Sequence, residues 1–266
     1  MKLRQICGAV AGVALAVCLA GCAGGGAQGA DTGANGSKTY KIATDTAFAP
    51  FEYAESDGTY VGIDMELLDA IAKKEGFEYK IDPVGFDAAL QNVQSNQADG
   101  VIAGMSITDT RKQVFDFSEP YYNSTVCCAT KADGGVASLE ELRGKNVAVK
   151  NGTMSANWAE SIKGQYGFTT TTFDTSDVMY QDVLAGNSVA CFEDTPVMSY
   201  AIDKVGMGLK IVAECDASSE FATPYGFAVN RGANAELLQK FNEGLAAIKA
   251  DGTYDKIVSK YVQTVK

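Results

Sequence analysis

Strand-like and helix-like segments alternate along most of this chain, and this alternation constrains its fold more than any other feature. Tyr40 to Thr44 alternates apolar and polar residues as a strand does, and Met65 to Ala72 then carries apolar residues at helical spacing. Further along, strands are predicted at 79–81, 100–103, 146–150 and 189–192, and helices after Phe86, from about Ser155 and from Thr195. Strands that alternate with helices in this way predict a layered α/β fold.

The chain contains no histidine among its 266 residues. This excludes nucleophilic triads with histidine, histidine general bases and histidine-containing metal sites. The cysteines of the body, Cys127, Cys128, Cys191 and Cys215, show no CxxC spacing. We therefore predict that the protein uses no metal and no cofactor. The sequence leaves open whether these cysteines form disulfides or serve as small buried apolar residues.

The first part of the chain has the features of a secretory signal. Residues 1–21 contain two basic residues, no acid and an apolar run from Ile6 to Leu19, which is short for a membrane span. The tetrapeptide Leu-Ala-Gly-Cys ending at Cys22 resembles the lipobox of bacterial lipoproteins, so we expect lipidation of Cys22. The alternative is an ordinary secretory signal with an incidental cysteine. Residues 22–37, rich in glycine, are predicted to form a flexible tether.

The chain that remains after removal of residues 1–21 is acidic. It has 20 Lys and Arg against 33 Asp and Glu, a formal net charge of −13. No basic face is left to neutralise phosphates, so nucleic acid and anionic lipid are excluded as partners. The full sequence of 266 residues is 46% hydrophobic, which is enough for a sizeable core. We expect a monomer on the extracytoplasmic face of the cell membrane, held there by its lipid anchor only.

The segment ITDTRKQVFDFSEPYY, residues 107–122, places Arg111 just after a turn and before an aromatic, acidic strand. A guanidinium is permanently charged, and its planar fork of donors fits a carboxylate with two parallel hydrogen bonds. Arg111 therefore suits recognition of an acid group. Ligands also gather at the carboxyl ends of strands in open α/β sheets. These two considerations favour a binding role for Arg111 over a solvated surface charge.

This segment, together with KIATDTAFAPFEY, GTYVGIDMELLDAIA and DGTYDKIVSKY, resembles the polar amino-acid-binding proteins of bacterial ABC importers (family 3 solute-binding proteins). The resemblance covers residues 38–266 and is strongest to glutamine-binding members. It implies a two-lobed, periplasmic-binding-protein-like fold of type II (a Venus flytrap) with two hinge crossings, near 122–128 and 220–226. Lobe 1 would comprise residues 38–124 and 221–266, and lobe 2 residues 125–220.

The resemblance also implies a ligand-binding site. Arg111 would hold the α-carboxylate of the ligand, with Gly104 as a backbone acceptor, the Ser106 hydroxyl beside it and the backbone N–H of Met154 at a helix start. Asp194 would accept the α-ammonium, although a helix N-cap is an alternative role for this residue. Phe48 and Phe86 would enclose the aliphatic part of the ligand, with ordinary core packing as the alternative.

Specificity would rest on Asp45 and Lys150 at the far end of the pocket. A carboxylate accepts hydrogen bonds and an ammonium donates them, so the two side chains, opposed across the pocket, suit the amide of L-glutamine. Glu193 stands where glutamine-binding members have a non-acidic residue, and an extra carboxylate could admit another polar or basic amino acid. The role of Glu193 therefore stays open.

The implied function is capture of a free polar amino acid, most readily L-glutamine, and its delivery to an ABC transporter permease. We expect no enzyme activity. The alternatives are a dehydratase-like enzyme or a sensor lobe on the same fold, since fold alone does not decide function. An enzyme would need a tuned base, and without histidine the candidates are Asp45, Lys150, Glu193 and Asp194, which are largely assigned to binding.

Overall fold

The computed structural model describes residues 38–262 of the chain. The predicted signal peptide (1–21), the predicted tether (22–37) and the lipidation at Cys22 lie outside the described residues. Within 38–262, no helix combines the length and apolar character that crossing a membrane requires.

The described residues form fifteen β-strands in four sheets. In chain order they are β1 (Thr39–Thr44), β2 (Ala47–Phe48), β3 (Glu52–Ala54), β4 (Tyr60–Val61), β5 (Glu78–Pro83), β6 (Gly100–Val101), β7 (Phe115–Phe117), β8 (Tyr122–Asn123), β9 (Val126–Lys131), β10 (Asn146–Lys150), β11 (Thr169–Phe173), β12 (Ala190–Asp194), β13 (Leu209–Glu214), β14 (Pro224–Tyr225) and β15 (Ala228–Asn230).

Seven α-helices are interleaved with these strands in the described part of the chain. They are α1 (Ile63–Glu75), α2 (Phe86–Gln94), α3 (Met154–Tyr166), α4 (Ser176–Ala185), α5 (Thr195–Asp203), α6 (Ala235–Ala250) and α7 (Thr253–Tyr261). Two short 3₁₀ turns are added at Arg111–Gln113 and Leu139–Leu142.

Two five-stranded sheets form the centres of the two lobes. The first has the order β5-β1-β6-β15-β7, in which β1 runs parallel to β5 and β6, and β15 runs antiparallel to β6 and β7. The second has the order β11-β10-β12-β9-β13, in which β10 runs parallel to β11 and β12, and β9 runs antiparallel to β12 and β13. The predicted α/β, two-lobed fold is confirmed.

The chain passes between the two sheets twice, through β8 on the way out and β14 on the way back. These two strands pair antiparallel, with Tyr122 opposite Tyr225 and Asn123 opposite Pro224. The crossings therefore lie side by side as a short ribbon. The lobe limits at 124/125 and 220/221 stay a prediction.

Helix α1 shows why the sequence folds locally as it does. Asp64 and Glu66 lie in its first turn and Lys73 and Lys74 in its last, which complements the helix dipole. Gly62, with φ 125°, precedes the helix. A Cβ atom at this position would lie 2.2 Å from the Phe51 carbonyl oxygen, so only glycine lets the helix start so close to the preceding turn.

The predicted ends of some strands and helices differ from those in the structure. Strand β6 ends at Val101 rather than at 103, because its pairing with β1 is confined to Gly100 and Val101. Helix α3 starts at Met154, one residue before the expected start. The sequence left open whether the four cysteines of the body form disulfides. In the structure they are free and buried, and they pack among apolar side chains of lobe 2.

Candidate functional site

The carboxyl ends of equivalent strands in the two sheets face each other across one cavity. In each sheet the chain order reverses between the first strand and its neighbour: β1 and β6 in one, β10 and β12 in the other. Asp45 follows β1, Lys150 ends β10 and Asp194 ends β12. Ligands of open α/β sheets bind outside the strand ends at such reversals, and here the two reversals meet.

The cavity has a volume of about 20 Å³. It is lined by all nine residues predicted from the sequence and by two further ones: Asp45, Phe48, Phe86, Ala103, Gly104, Ser106, Arg111, Lys150, Thr153, Met154 and Asp194. A water molecule needs roughly 10–15 Å³. The cavity as described is therefore too small for an amino acid, and its walls must separate before one can enter.

Asp45 and Lys150 are in direct contact rather than opposed across an open pocket. Their carboxylate and ammonium form an ion pair, with side chains 1% and 2% exposed. Burial lowers the pKa of Lys150, but Asp45 and Glu193 raise it more, so the pKa lies above its usual value and the ammonium stays charged. The pair bridges the two lobes and closes the far end of the cavity.

The two predicted aromatic residues surround the Lys150 ammonium. Its Nζ lies 4.7 Å from the centroid of the Phe48 ring and 5.8 Å from that of Phe86, distances at which a cation is attracted to a ring face. Phe48 and Phe86 also belong to the apolar core of lobe 1. Core packing, the alternative considered for them, is thus observed, and the enclosure of a ligand stays a prediction.

Arg111 lies in a 3₁₀ turn and points its guanidinium across the cleft. One nitrogen donates to the Ser106 carbonyl at 2.8 Å and the other to the Gly152 carbonyl of lobe 2 at 2.9 Å. Burial lowers the pKa of Arg111 to about 10, with Asp194 and other neighbours opposing the shift. The guanidinium stays charged at neutral pH, and both of its partners are neutral, so it remains available to a carboxylate.

Asp194 is 5% exposed and precedes α5, but its side chain makes no capping hydrogen bond to that helix. One carboxylate oxygen accepts from the Tyr225 hydroxyl, and the other has no partner among residues 38–262. Burial, and then the neighbouring Glu193, raise the pKa of Asp194 to about 7. A buried acceptor without a donor is costly, so this oxygen is ready to receive a cation.

Helix α3 points its first turn at the cavity. The Thr153 hydroxyl caps the helix by accepting from the Ala156 N–H at 3.1 Å and donates to the Lys150 carbonyl at 2.9 Å. Met154 is the first residue of the helix. The unbonded N–H groups of a helix start and the positive end of the helix dipole both attract anions, so this end of the cavity favours a carboxylate.

Gly104 and Ser106 form the lobe 1 wall beside Arg111. Gly104 has φ 52°, and a Cβ atom there would lie 2.5 Å from the Phe48 ring. Glycine is therefore needed for the backbone to pass this ring. The Ser106 carbonyl accepts from Arg111, and Ser106 pairs as an isolated bridge with Tyr225 of the crossing ribbon.

Glu193 faces away from the cavity. Its carboxylate accepts from the Ser176 hydroxyl at 2.6 Å, the Tyr180 hydroxyl at 2.8 Å and the Asp194 N–H at 2.9 Å. Successive side chains of a strand point to opposite faces, so Glu193 is directed toward α4 while Asp194 is directed into the cleft. Glu193 is thus a buried structural residue that does not line the cavity, so it does not supply the additional carboxylate that was considered for ligand recognition.

Side-chain contacts hold the two lobes together around the cavity. They join residues on either side of the cleft: Lys150 to Asp45, Arg111 to Gly152, Asn151 to Asp87, and Tyr53 to Tyr200. A larger groove of about 660 Å³ lies beside the crossing ribbon, lined in part by Tyr122, Thr195 and Tyr261. It contains none of the predicted site residues, whereas the buried residues Asp45, Lys150 and Asp194 line the smaller cavity.

Sequence reasoning missed some residues that shape the site. Thr153 carried a detectable signal, since threonine directly before a predicted helix is a typical N-cap. Tyr225 carried none, because its contact with Asp194 joins residues 31 positions apart. Asp64 resembled an ordinary acid in the first turn of a helix, yet it is buried and accepts from the Gly104 N–H at 2.8 Å.

Residues 40–264 match the model of the bacterial extracellular solute-binding proteins, family 3, and the chain belongs to this family. It is thus an amino-acid-binding solute-binding protein for ABC transport, with an extracytoplasmic body. The family predicted from the sequence motifs is confirmed.

Three similar proteins illustrate the relationship. The arginine-binding extracellular protein ArtP of Bacillus subtilis (strain 168) is 32% identical over 85% of this chain and 87% of its own length. The GlnP substrate binding domain 2 of Lactococcus lactis, in an open conformation, is 43% identical over 86% of this chain and 97% of its own, with a TM-score of 0.61. An ancestral arginine-binding protein bound to glutamine is 37% identical over 84% of this chain and 97% of its own, with a TM-score of 0.75. The structural similarity is greater for the ligand-bound protein, although its sequence identity is lower.

Proposed function

We propose that the protein captures free L-glutamine in the cleft between its lobes and presents it to an ABC transporter permease. The observation that carries the choice of ligand is the buried pair of Asp45 and Lys150 at the far end of the cavity. An amide has one acceptor oxygen and one donor nitrogen, so it can separate the pair and satisfy both members. Glutamine then leaves no buried charge without a partner.

The other groups of the cavity suit the part that all amino acids share. Arg111 and the start of α3 attract the α-carboxylate, and the free oxygen of Asp194 accepts the α-ammonium. Phe48 and Phe86 enclose the aliphatic chain once Lys150 has withdrawn from between them. Lobe 1 and lobe 2 both contribute, so the ligand favours the form in which the lobes are together.

A cationic amino acid is the second candidate. The Lys150 ammonium itself occupies the slot formed by Asp45, Phe48 and Phe86, which supports the idea that a ligand cation fits the same place. The names of the arginine-binding relatives favour this candidate as well. Against it, an arginine side chain would compete with Lys150 for Asp45, and two cations would then share one carboxylate.

Binding rather than catalysis is the activity that the contacts of the charged groups support. Asp45 and Lys150 neutralise each other, and Glu193 is saturated with donors. Asp194 is left with a pKa near neutrality, and its carboxylate oxygen without a partner among residues 38–262 suits an ammonium. We further infer that the protein is a monomer, that Cys22 carries the lipid anchor and that the lobes divide at 124/125 and 220/221.

A thermal-shift panel of the twenty amino acids, measured on residues 38–266, tests the proposed ligand. A ligand that binds only the folded protein stabilises it by RT ln(1 + [L]/Kd), about 2.7 kcal/mol at a hundredfold excess over Kd. We expect a large increase in Tm with L-glutamine and a much smaller one with glutamate, arginine and lysine. D-glutamine is the matched control. A larger shift with arginine than with glutamine would select the second candidate.

The affinity for the amino acid should depend on pH through Asp194. Its pKa in the unliganded protein is raised to about 7, whereas an ammonium needs the carboxylate form. Ligand binding therefore expels a proton below pH 7, and affinity should fall by up to about tenfold per unit as pH decreases further. Calorimetry at pH 6 in two buffers of different ionisation enthalpy measures this proton. Asp194→Asn should release none, and equal heats for the wild type in both buffers would contradict the linkage.

A further inference from the structure

Two carboxyl groups that do not line the cavity are buried directly behind its lobe 1 wall. Glu52 lies on β3 and Asp64 in the first turn of α1, and both residues are 0% exposed. The Asp64 N–H donates to the carbonyl of Phe51, the residue before Glu52, at 2.9 Å, so the two carboxyl groups are neighbours in the interior. Burial of two acids side by side is costly if both are ionised, so this arrangement requires an explanation.

Asp64 connects the site to the crossing ribbon. Its Oδ2 accepts from the Gly104 N–H at 2.8 Å and from the Tyr121 hydroxyl at 2.8 Å. Gly104 lines the cavity, and Tyr121 immediately precedes β8. Burial raises the pKa of Asp64 to about 6, and the two donors on Oδ2 oppose this shift, so Asp64 is a carboxylate at pH 7. The other oxygen, Oδ1, receives no N–H or O–H from residues 38–262 apart from what Glu52 can supply.

Glu52 lacks the donors that an anion would need. Neither of its oxygens accepts a hydrogen bond from a donor in the described part of the chain. The charged groups that face it are Asp64, Asp45 and Lys150, and the ammonium of Lys150 is already taken by Asp45. Burial, Asp64 and Asp45 all raise the pKa of Glu52, and Lys150 opposes them, so the pKa lies well above its usual value. The protonated acid has one donor, and Asp64 Oδ1 is the acceptor beside it.

We propose that Glu52 and Asp64 share one proton and act as a positioning pair for the ligand site. Glu52 donates to one oxygen of Asp64 and thereby orients the other toward Gly104 and Tyr121. Asp64 therefore connects the cavity wall, through Gly104, to the start of the first lobe crossing, through Tyr121. Glu52 also adds no charge beside Asp45 and Lys150, so that ion pair stays balanced. The effect on ligand affinity rests on the proposed function, whereas the protonation of Glu52 does not.

The pH dependence of stability tests the shared proton without any ligand. Glu52 binds a proton in the folded state that it has lost in the unfolded state above pH 4.5, so the wild type should lose stability as pH rises from there toward the folded pKa. Glu52→Gln keeps a donor toward Asp64 and removes the titration. We expect its Tm to exceed that of the wild type by a margin that widens between pH 5 and pH 8.

Glu55→Gln is the matched control, since Glu55 is exposed three residues further along and undergoes the same charge change. Its Tm difference from the wild type should not widen with pH. Carboxyl-carbon NMR of the wild type should show the signal of one protonated glutamate at pH 7. This signal should be absent from the spectrum of Glu52→Gln. The proposal would be overturned if the Tm difference from the wild type changed with pH in the same way for Glu52→Gln and for Glu55→Gln. It would also be overturned if the wild type showed no protonated glutamate at pH 7.

The positioning role of the Glu52–Asp64 pair is tested by two measurements, the chemical shift of the Gly104 amide proton and the affinity for glutamine. In the wild type the Gly104 amide proton should shift as Asp64 titrates, and Asp64→Asn should abolish this shift. Glu52→Gln should keep glutamine affinity within about threefold, whereas Asp64→Ala should lose about tenfold or more, because a buried donor is left without its acceptor. A Gly104 amide that does not respond to Asp64→Asn would overturn the positioning role. If the wild type did not bind glutamine, the proposed function would be contradicted, whereas the NMR result on the Gly104 amide would still stand.

Discussion

Arg111→Ala is expected to fold normally and to lose measurable amino-acid binding. The guanidinium is the cation on the lobe 1 side of the cavity, and both of its present partners are neutral carbonyls. Removing one partner of a desolvated charge pair costs about 2–5 kcal/mol, which corresponds to a loss of affinity of roughly 30- to 4000-fold. Isothermal titration calorimetry with the ligand found in the panel measures this loss, and circular dichroism checks the fold.

Two further variants make this result specific. Arg111→Lys keeps the charge but lacks the planar fork, so it should restore little binding. Arg231→Ala is the matched control, because Arg231 also donates to two backbone carbonyls, those of Lys112 and Gln113, but is exposed and does not line the cavity. It should bind like the wild type. Binding by Arg111→Ala within threefold of the wild type would exclude Arg111 as the carboxylate partner.

Lys150→Met is expected to reverse the preference between glutamine and arginine. The variant keeps the length of the side chain but leaves Asp45 buried without its cation. Breaking a buried ion pair on one side costs about 3–5 kcal/mol. A neutral amide cannot replace the lost charge, so glutamine affinity should fall by at least tenfold. Arginine supplies a cation to Asp45 between Phe48 and Phe86, so its affinity should rise.

The predicted reversal of preference is measured by titrating the wild type and Lys150→Met with glutamine and with arginine. Lys145→Met provides the control, since Lys145 is exposed on the same lobe and its replacement makes the same change in charge. It should leave both affinities unchanged. If Lys150→Met retained the glutamine preference of the wild type, the choice of ligand would have to reside elsewhere in the cavity.

Local patterns in the sequence predicted most of the fold. The alternation of strand and helix periods identified the α/β class, because burial of one face imposes period 2 on a strand and 3.6 on a helix. The predictions failed mainly at boundaries, as at β6, where pairing with β1 is confined to two residues. The motifs around Asp45 and Arg111 identified the family, and the nine site residues that the family resemblance implied do lie around one cavity.

The sequence by itself determined which groups are present: an Arg that we propose for a carboxylate, an Asp that we propose for an ammonium, an acidic body without histidine, and helix-start signals such as Thr153. It could not determine how the charges pair. Only the tertiary structure showed that Lys150 contacts Asp45, that Glu193 points away from the cleft and that Glu52 meets Asp64 in the interior. The physical reason is that desolvation and hydrogen bonding set the state of each charged group. Both depend on neighbours brought together across 12 to 105 positions of the chain, which no local pattern records.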